Sequence, residues 1–261
     1  MKDTKIRWCD HTWNPMSGCS HVSPGCDHCY AEAIATSPRF GTAFPQGFTP
    51  TYKPHRLREP RKLQPGRVFV NSMSDVFHED FTAEQIDSVM DVMVEQDQHD
   101  YLVLTKRPKA MARHVRRWLR ERGLESVPEH VWLGTSIESD RYVWRADHLR
   151  ALPVAVRFLS CEPLITALPS LDLDGIAWVI VGGESGNGSH DYRPMDHDWA
   201  RDLRDRCAEA GVPFYFKQSA GYRTETGLDL DGRRHEDFPR PHPAARGLRI
   251  GPSRRPGTLA I

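Results

Sequence analysis

Residues 101–123 read YLVLTKRPKAMARHVRRWLRERG. The apolar run Tyr101–Leu104 is too short for a helix and is followed by polar residues, the pattern of a buried strand. Thr105-Lys106-Arg107 then turns the chain. Pro108 opens a helix, because its fixed φ and missing N–H suit the first helical turn. Met111, Val115, Trp118 and Leu119 recur on one face, and Gly123 supplies the stop. The stretch is therefore one strand–turn–helix unit.

The same unit recurs on both sides. Upstream, Val68–Asn71 is a short apolar strand. A helix over Ala83–Gln96 follows, with Ile86, Val89, Met90, Met93 and Val94 on one face and a Thr82/Gln85 capping box at its start. Downstream come a strand at Val131–Leu133, a helix near Arg141–Ala151, and strands at Val156–Leu159 and Ile176–Val181. A helix over Asp196–Ala210 carries Trp199, Leu203 and Cys207 and stops at Gly211, and Val212–Phe216 is the last strand. Strands alternating with helices predict right-handed βαβ units and a parallel sheet. Six strands, with a short one near Thr12–Asn14, suit an α/β fold of the partial (β/α)6-type TIM barrel class. A doubly wound open sheet is the alternative. From Gly221 the apolar period disappears. The expected division is a barrel with an N-terminal cysteine loop over residues 1–220 and an irregular extension over 221–261. That extension ends in an Arg/Pro-rich flexible tail from Pro239 to Ile261.

A chain of 261 residues can bury its core without disulfides or structural metal, so any metal site is expected to serve function. Lysine plus arginine equals aspartate plus glutamate, 35 against 35, which gives no electrostatic reason for nucleic-acid binding. The basic run Arg113–Arg120 is accordingly read as the solvated face of a barrel helix. Met1–Trp8 has no apolar leader, and no run approaches the ~20 apolar residues of a membrane span. The expectation is a cytoplasmic protein without membrane contact. In that reducing compartment the six cysteines are thiols or metal ligands rather than disulfides.

Three of them form the strongest local signal, Gly18-Cys19-x6-Cys26-x2-Cys29-Tyr30-Ala31-Glu32. Pro24-Gly25 can turn the loop so that Cys19 joins the other two. Soft thiolates select zinc or iron–sulfur clusters. Zinc would need a fourth ligand, from His11, His21, His28 or Cys9. A 4Fe–4S cluster on three thiolates leaves one iron open to a small molecule. Spacing alone leaves both readings standing.

The C-terminal ends of the strands, where parallel barrels bind ligands, are uniformly polar. They read Asn71-Ser72-Met73-Ser74-Asp75, Thr105-Lys106-Arg107, Thr135-Ser136-Ile137-Glu138, Ser160-Cys161-Glu162, Gly182-Gly183-Glu184-Ser185-Gly186 and Lys217-Gln218. Lys106 or Arg107 can pair with a carboxylate. Ser72, Ser136 and Glu138 can bind ribose hydroxyls or an ammonium group. Gly182-Gly183 permits close backbone approach. Cys161 is either a hydrogen donor to a radical or a buried thiol, and Cys207 belongs to the core.

Together these segments resemble radical S-adenosylmethionine (radical SAM) enzymes, especially those similar to spore photoproduct lyase. The resemblance lies in Cys26-Asp27-His28-Cys29-Tyr30-Ala31, Asn71-Ser72-Met73-Ser74-Asp75, Val103–Pro108 and Gly134-Thr135-Ser136-Ile137, and covers roughly the first 185 residues. More closely, the chain is similar to a three-cysteine-motif family often associated with phages. That likeness adds Trp13-Asn14-Pro15, Gly182–Gly186, Phe216-Lys217-Gln218 and Leu230–Arg233, and runs to about Pro239. The resemblance implies a 4Fe–4S cluster on Cys19, Cys26 and Cys29. It also implies S-adenosylmethionine, reductively cleaved to methionine and a 5′-deoxyadenosyl radical that abstracts hydrogen from a substrate. Ser72 and Asp75 would stand in for the glycine motif that holds the methionine amine. Lys106, Ser136, Glu138, Gly182, Gly183 and Lys217 would complete the cofactor site, while Cys161, Glu162 and Glu184 would be catalytic. An electron donor of the flavodoxin or ferredoxin type, a nucleic-acid or nucleotide substrate, and a partner protein are further implications. The chain departs from the family in the first cysteine gap, six residues instead of three, and in His28, where Phe or Tyr is usual. The rival readings are a zinc-stabilised nucleic-acid or protein binding module and a non-catalytic iron–sulfur redox protein.

Overall fold

The computed structural model describes residues 4–186, 188–240 and 243. Its strands and helices run β1 (His11–Trp13), β2 (Met16–Ser17), α1 (Tyr30–Thr36), β3 (Thr51–Tyr52), β4 (Arg67–Val70), α2 (Ala83–Glu95), β5 (Asp100–Thr105), α3 (Pro108–Arg122), β6 (Val131–Ser136), α4 (Arg145–Arg150), β7 (Arg157–Cys161), β8 (Trp178–Gly182), α5 (His197–Ala210) and β9 (Phe214–Gln218). Seven strands form one sheet in the order β1-β4-β5-β6-β7-β8-β9, every neighbouring pair parallel. Spatial order follows chain order without reversal. The switch point of a doubly wound sheet is therefore missing, and right-handed crossovers place the helices on one face. Inherent strand twist then curls the sheet into a partial TIM barrel.

The period of two along each strand separates two apolar layers. Tyr101 and Val103 on β5, like Val179 and Val181 on β8, pack outward against the helices. Leu102, Trp178 and Ile180 point inward and join Trp8, Phe69, Trp132, Phe158 and Tyr215. Trp178 lies at the centre of this aromatic floor, 5.8 Å from Phe158 and 6.1 Å from Trp132 by ring centroids. Gly134 on β6 makes room for it, since a Cβ there would lie 2.5 Å from three ring carbons of Phe158.

The capping box forms as expected: Gln85 N donates to Thr82 Oγ1, and Thr82 N to Gln85 Oε1. The helix expected over 141–151 is shorter. A 3-10 turn occupies Asp140–Tyr142, and α4 covers only Arg145–Arg150. Helix α1 and the antiparallel pair β2–β3 were not expected. Both lie in the long connection from β1 to β4 that carries the cysteines.

Described residues past Gly221 pack onto the barrel. Residues 235–237 run antiparallel along the free edge of β9, with Phe216 N donating to His235 O at 2.8 Å and Asp237 N to Phe214 O at 3.2 Å. An exposed edge strand is thereby covered by the chain's own backbone. Phe238 lies 5.2 Å from Trp178 by ring centroids, and the Arg67 guanidinium lies 3.7 Å over the Phe238 ring. The expected tail falls, beyond residue 240 and apart from position 243, outside the described residues. Among the described residues no helix is long and apolar enough to cross a membrane.

Candidate active site

The cysteine loop leaves the edge strand β1 and crosses the C-terminal mouth of the half-barrel. Asn14 starts the crossing, its Oδ1 accepting from Ser72 Oγ and Met73 N at 3.1 Å each. Gly18 follows in the left-handed region (φ 82°), bridged to Ser74. A side chain there would meet the Thr49 carbonyl oxygen at 2.2 Å, so the loop requires glycine. Cys19 then sits beside the β5 end, where Arg107 Nη1 donates to its Sγ at 3.4 Å. Gly25 passes over Glu138 and Lys106, with side-chain carbons of both 3.2 Å from where its Cβ would be. Cys29 caps α1.

Cys19, Cys26 and Cys29 consequently line one cavity of about 340 Å³. The ends of β4 to β9 line it as well, through Asn71, Lys106, Ser136, Glu162, Glu184 and Lys217 among others. Trp8 and Phe69 form its apolar bottom. Burial pushes the Cys19 thiol above its ordinary pKa, with Asp75 adding to the rise and Arg107 opposing it. Burial likewise raises Cys29, against the pull of the Glu32 and Ala31 backbone amides. On the far wall Lys217 Nζ pairs with Glu162 Oε2 at 2.8 Å. Burial alone would depress that ammonium, but Glu162 lifts it above the usual lysine value.

The remaining expected residues divide into three groups. Ser72, Lys106, Ser136 and Gly183 line the cavity. Asp75 lines it too, but its carboxylate is taken up by Thr105 Oγ1, Lys106 N and Phe77 N, bracing the ends of β4 and β5. Glu184 is engaged by Arg193 and His28.

Three of the expected residues lie off the cavity. Cys161 is fully buried in the helix-facing core near Cys207. Strand alternation turns Ser160 and Glu162 into the cavity and Cys161 away from it. Glu138 is 0% exposed beneath the cysteine loop and paired with Arg145 at 2.8 Å, so it does not line the cavity. Gly182 lies under Glu162, whose Oε2 is 2.9 Å from where a Cβ would be, and does not reach the cavity.

Asn71 and Arg193 were not singled out as site residues by sequence reasoning, and Arg107 entered only as an alternative to Lys106 for pairing with a carboxylate. Asn71 holds a positive φ of 58°, and its buried Nδ2 has no hydrogen-bond partner while the residue faces the cavity. The Asn-Ser turn after a strand was the one signal available for it. Arg193 carries no local signal, because only the fold brings it to the cysteines.

The donor set offers three thiols to a metal group. Each histidine considered as a fourth zinc ligand has one ring nitrogen hydrogen-bonded, which leaves the other ring nitrogen open to a metal. His28 bonds Glu184 at 2.8 Å, His21 bonds Glu32 at 2.7 Å, and His11 bonds the Gln64 carbonyl at 3.1 Å. Cys9 lies in the aromatic floor. Among the described residues no three Cys, His, Asp or Glu side chains converge on a single ion. A cluster does not ask for that, since separate irons take separate thiolates. The three loop thiols are free and half-buried. Asn71 Nδ2 is an uncommitted donor for a carboxylate, and the Lys106 ammonium forms no ion pair among the described residues.

Fold and site define an α/β half-barrel with a thiol-rimmed cavity at its C-terminal mouth, apolar below and polar along the strand ends. The chain belongs to the family described as "Protein of unknown function (DUF5131)", whose model matches residues 3–239. No curated protein matches it. Among solved structures it is similar to spore photoproduct lyase complexed with dinucleoside spore photoproduct, at 12% identity and a TM-score of 0.47. That superposition covers 80% of this chain and 64% of the other, so the chain spans just under two thirds of the length of that protein.

Proposed function

We propose that the protein is a radical SAM-type iron–sulfur enzyme, with Cys19, Cys26 and Cys29 holding a 4Fe–4S cluster. The observation that carries this reading is the sharing of one cavity by the three thiols and the polar ends of β4 to β9. When bound, the cluster and S-adenosylmethionine would supply a 5′-deoxyadenosyl radical.

The chain's own residues would bind, orient and enclose. Asn71 Nδ2 and Lys106 Nζ are free to hold a carboxylate. The Ser72 and Ser136 hydroxyls line the same wall and suit a ribose. The Glu162–Lys217 pair faces the substrate, presenting both a donor and an acceptor. Trp8, Phe69 and Leu104 keep water from the bottom of the cavity. A flavodoxin- or ferredoxin-type reductant and a nucleotide or nucleic-acid substrate accompany this reading by analogy.

The test is anaerobic reconstitution with iron and sulfide, followed by dithionite reduction with S-adenosylmethionine and assay for 5′-deoxyadenosine. A brown protein that forms it, with Cys19→Ala, Cys26→Ala and Cys29→Ala all inactive, supports the reading. A colourless protein retaining one zinc per chain refutes it.

A further inference from the structure

The gap between Cys19 and Cys26 is six residues, and a longer gap leaves more conformations open to the thiols at its ends. Two guanidinium groups remove that freedom. Arg107, at the end of β5, holds the first thiol, with Nη1 to Cys19 Sγ and Nη2 to Ser20 O at 3.1 Å and Ser20 Oγ at 2.8 Å. The other end of the loop is held from the opposite wall. Arg193 Nη2 donates to the Pro24 carbonyl at 2.8 Å, and Nη1 lies 3.3 Å from Asp27 Oδ2. The same guanidinium grips Glu184 at the end of β8, with Nε to Oε2 at 3.0 Å and Nη2 to Oε1. Glu184 in turn bonds His28 Nδ1 at 2.8 Å, between Cys26 and Cys29.

We propose that Arg193 is the positioning residue for Cys26 and Cys29, bridging Glu184 of the barrel wall to the Pro24–His28 turn. Its planar fork can serve a carboxylate and a carbonyl at once, which a lysine ammonium on a flexible stem cannot do with the same geometry. Glu184 is thereby a support for the cysteine turn as well as a lining residue. This inference rests on the cluster reading for its purpose, but the clamp itself is independent of any bound metal.

The test compares Arg193→Gln and Arg193→Lys with the parent full-length chain. The reduced protein is alkylated with iodoacetamide, and each thiol is followed separately by mass spectrometry. Cys26 and Cys29 are expected to label at least fivefold faster in Arg193→Gln. Cys19, held by Arg107, serves as the internal control and keeps its rate. Arg193→Lys should track Arg193→Gln. In reconstituted protein the reduced cluster's EPR signal should shift or broaden in both variants. Unchanged rates at Cys26 and Cys29, a parallel rise at all three thiols, or full restoration by lysine would each overturn the proposal. If the cluster reading fails, the parent protein gives no EPR signal while the labelling pattern still reports on the clamp.

Discussion

Replacing Lys217 with methionine should destabilise the protein in a way that depends on pH. Its ammonium lies 2.8 Å from Glu162 Oε2, and the two side chains are 19% and 13% exposed. At an effective dielectric of about 20, that separation corresponds to a gross attraction of ~6 kcal/mol, from which desolvation of both ions is subtracted. In Lys217→Met the carboxylate keeps, among the described residues, only the Ser160 hydroxyl, 3.2 Å from Oε1. A stranded carboxylate can take up a proton instead, which limits the loss. For an ordinary glutamate that costs about 3.5 kcal/mol at pH 7 and about 1 kcal/mol at pH 5. The folded lysine pKa is raised, so its contribution is fully present below the ordinary lysine value and fades only as pH rises through the folded one. Lys217 is therefore charged at both pH values, and its own titration adds no pH dependence between them. Urea unfolding should show a loss of about 3 kcal/mol at pH 7 and about 1 kcal/mol at pH 5, with Lys217→Met/Glu162→Gln recovering at least half of the former. An equal loss at both pH values, or less than about 1 kcal/mol at pH 7, would refute the reasoning.

Cys161→Ala should leave 5′-deoxyadenosine formation intact while lowering the melting temperature, because the thiol faces the helix layer; abolished product formation would reinstate it in the site. Asp87 joins α2 to α3 through His114 at 2.8 Å and Arg117 at 2.6 Å, and although burial opposes them these partners hold its pKa down. Asp87→Asn should cost about 1–2 kcal/mol in urea at pH 7. That difference should vanish as pH falls through the folded Asp87 value, below the ordinary aspartate range. Gly134→Ala forces a methyl group into the Phe158 ring and should cost about 1–3 kcal/mol by thermal melting. Deleting residues 235–261 uncovers the β9 edge and Trp178, and size-exclusion chromatography should show aggregates where the parent elutes as a discrete species.

The barrel was readable from residues such as Pro108, Gly123 and the Thr82/Gln85 box, because period and punctuation are local properties. Alternation with helices pointed to a parallel sheet but left its strand order open between a partial barrel and a doubly wound sheet. Helix α1 escaped notice because Tyr30–Thr36 buries only Ala31 and Ala35 and is too short to establish a period. The three cysteines and the polar strand ends were legible as residue types in suggestive places. What strand alternation does to adjacent residues was available in principle, yet Cys161 and Glu162 were assigned to the same side. The Arg193 clamp was not available at all, since the spacing of 169 residues between it and Pro24 has meaning only once the sheet has curled.

Chain order equals spatial order in the sheet, and this bears on how the molecule is made. From β5 to β9 each strand pairs with its predecessor, so βα units can be added one at a time as the chain leaves the ribosome. The cysteine turn is synthesised before all of them but cannot be fixed until Glu184 and Arg193 have emerged. Ordering of Cys26 and Cys29 is thus a late event of folding, and during most of synthesis these two thiols stay open to solvent.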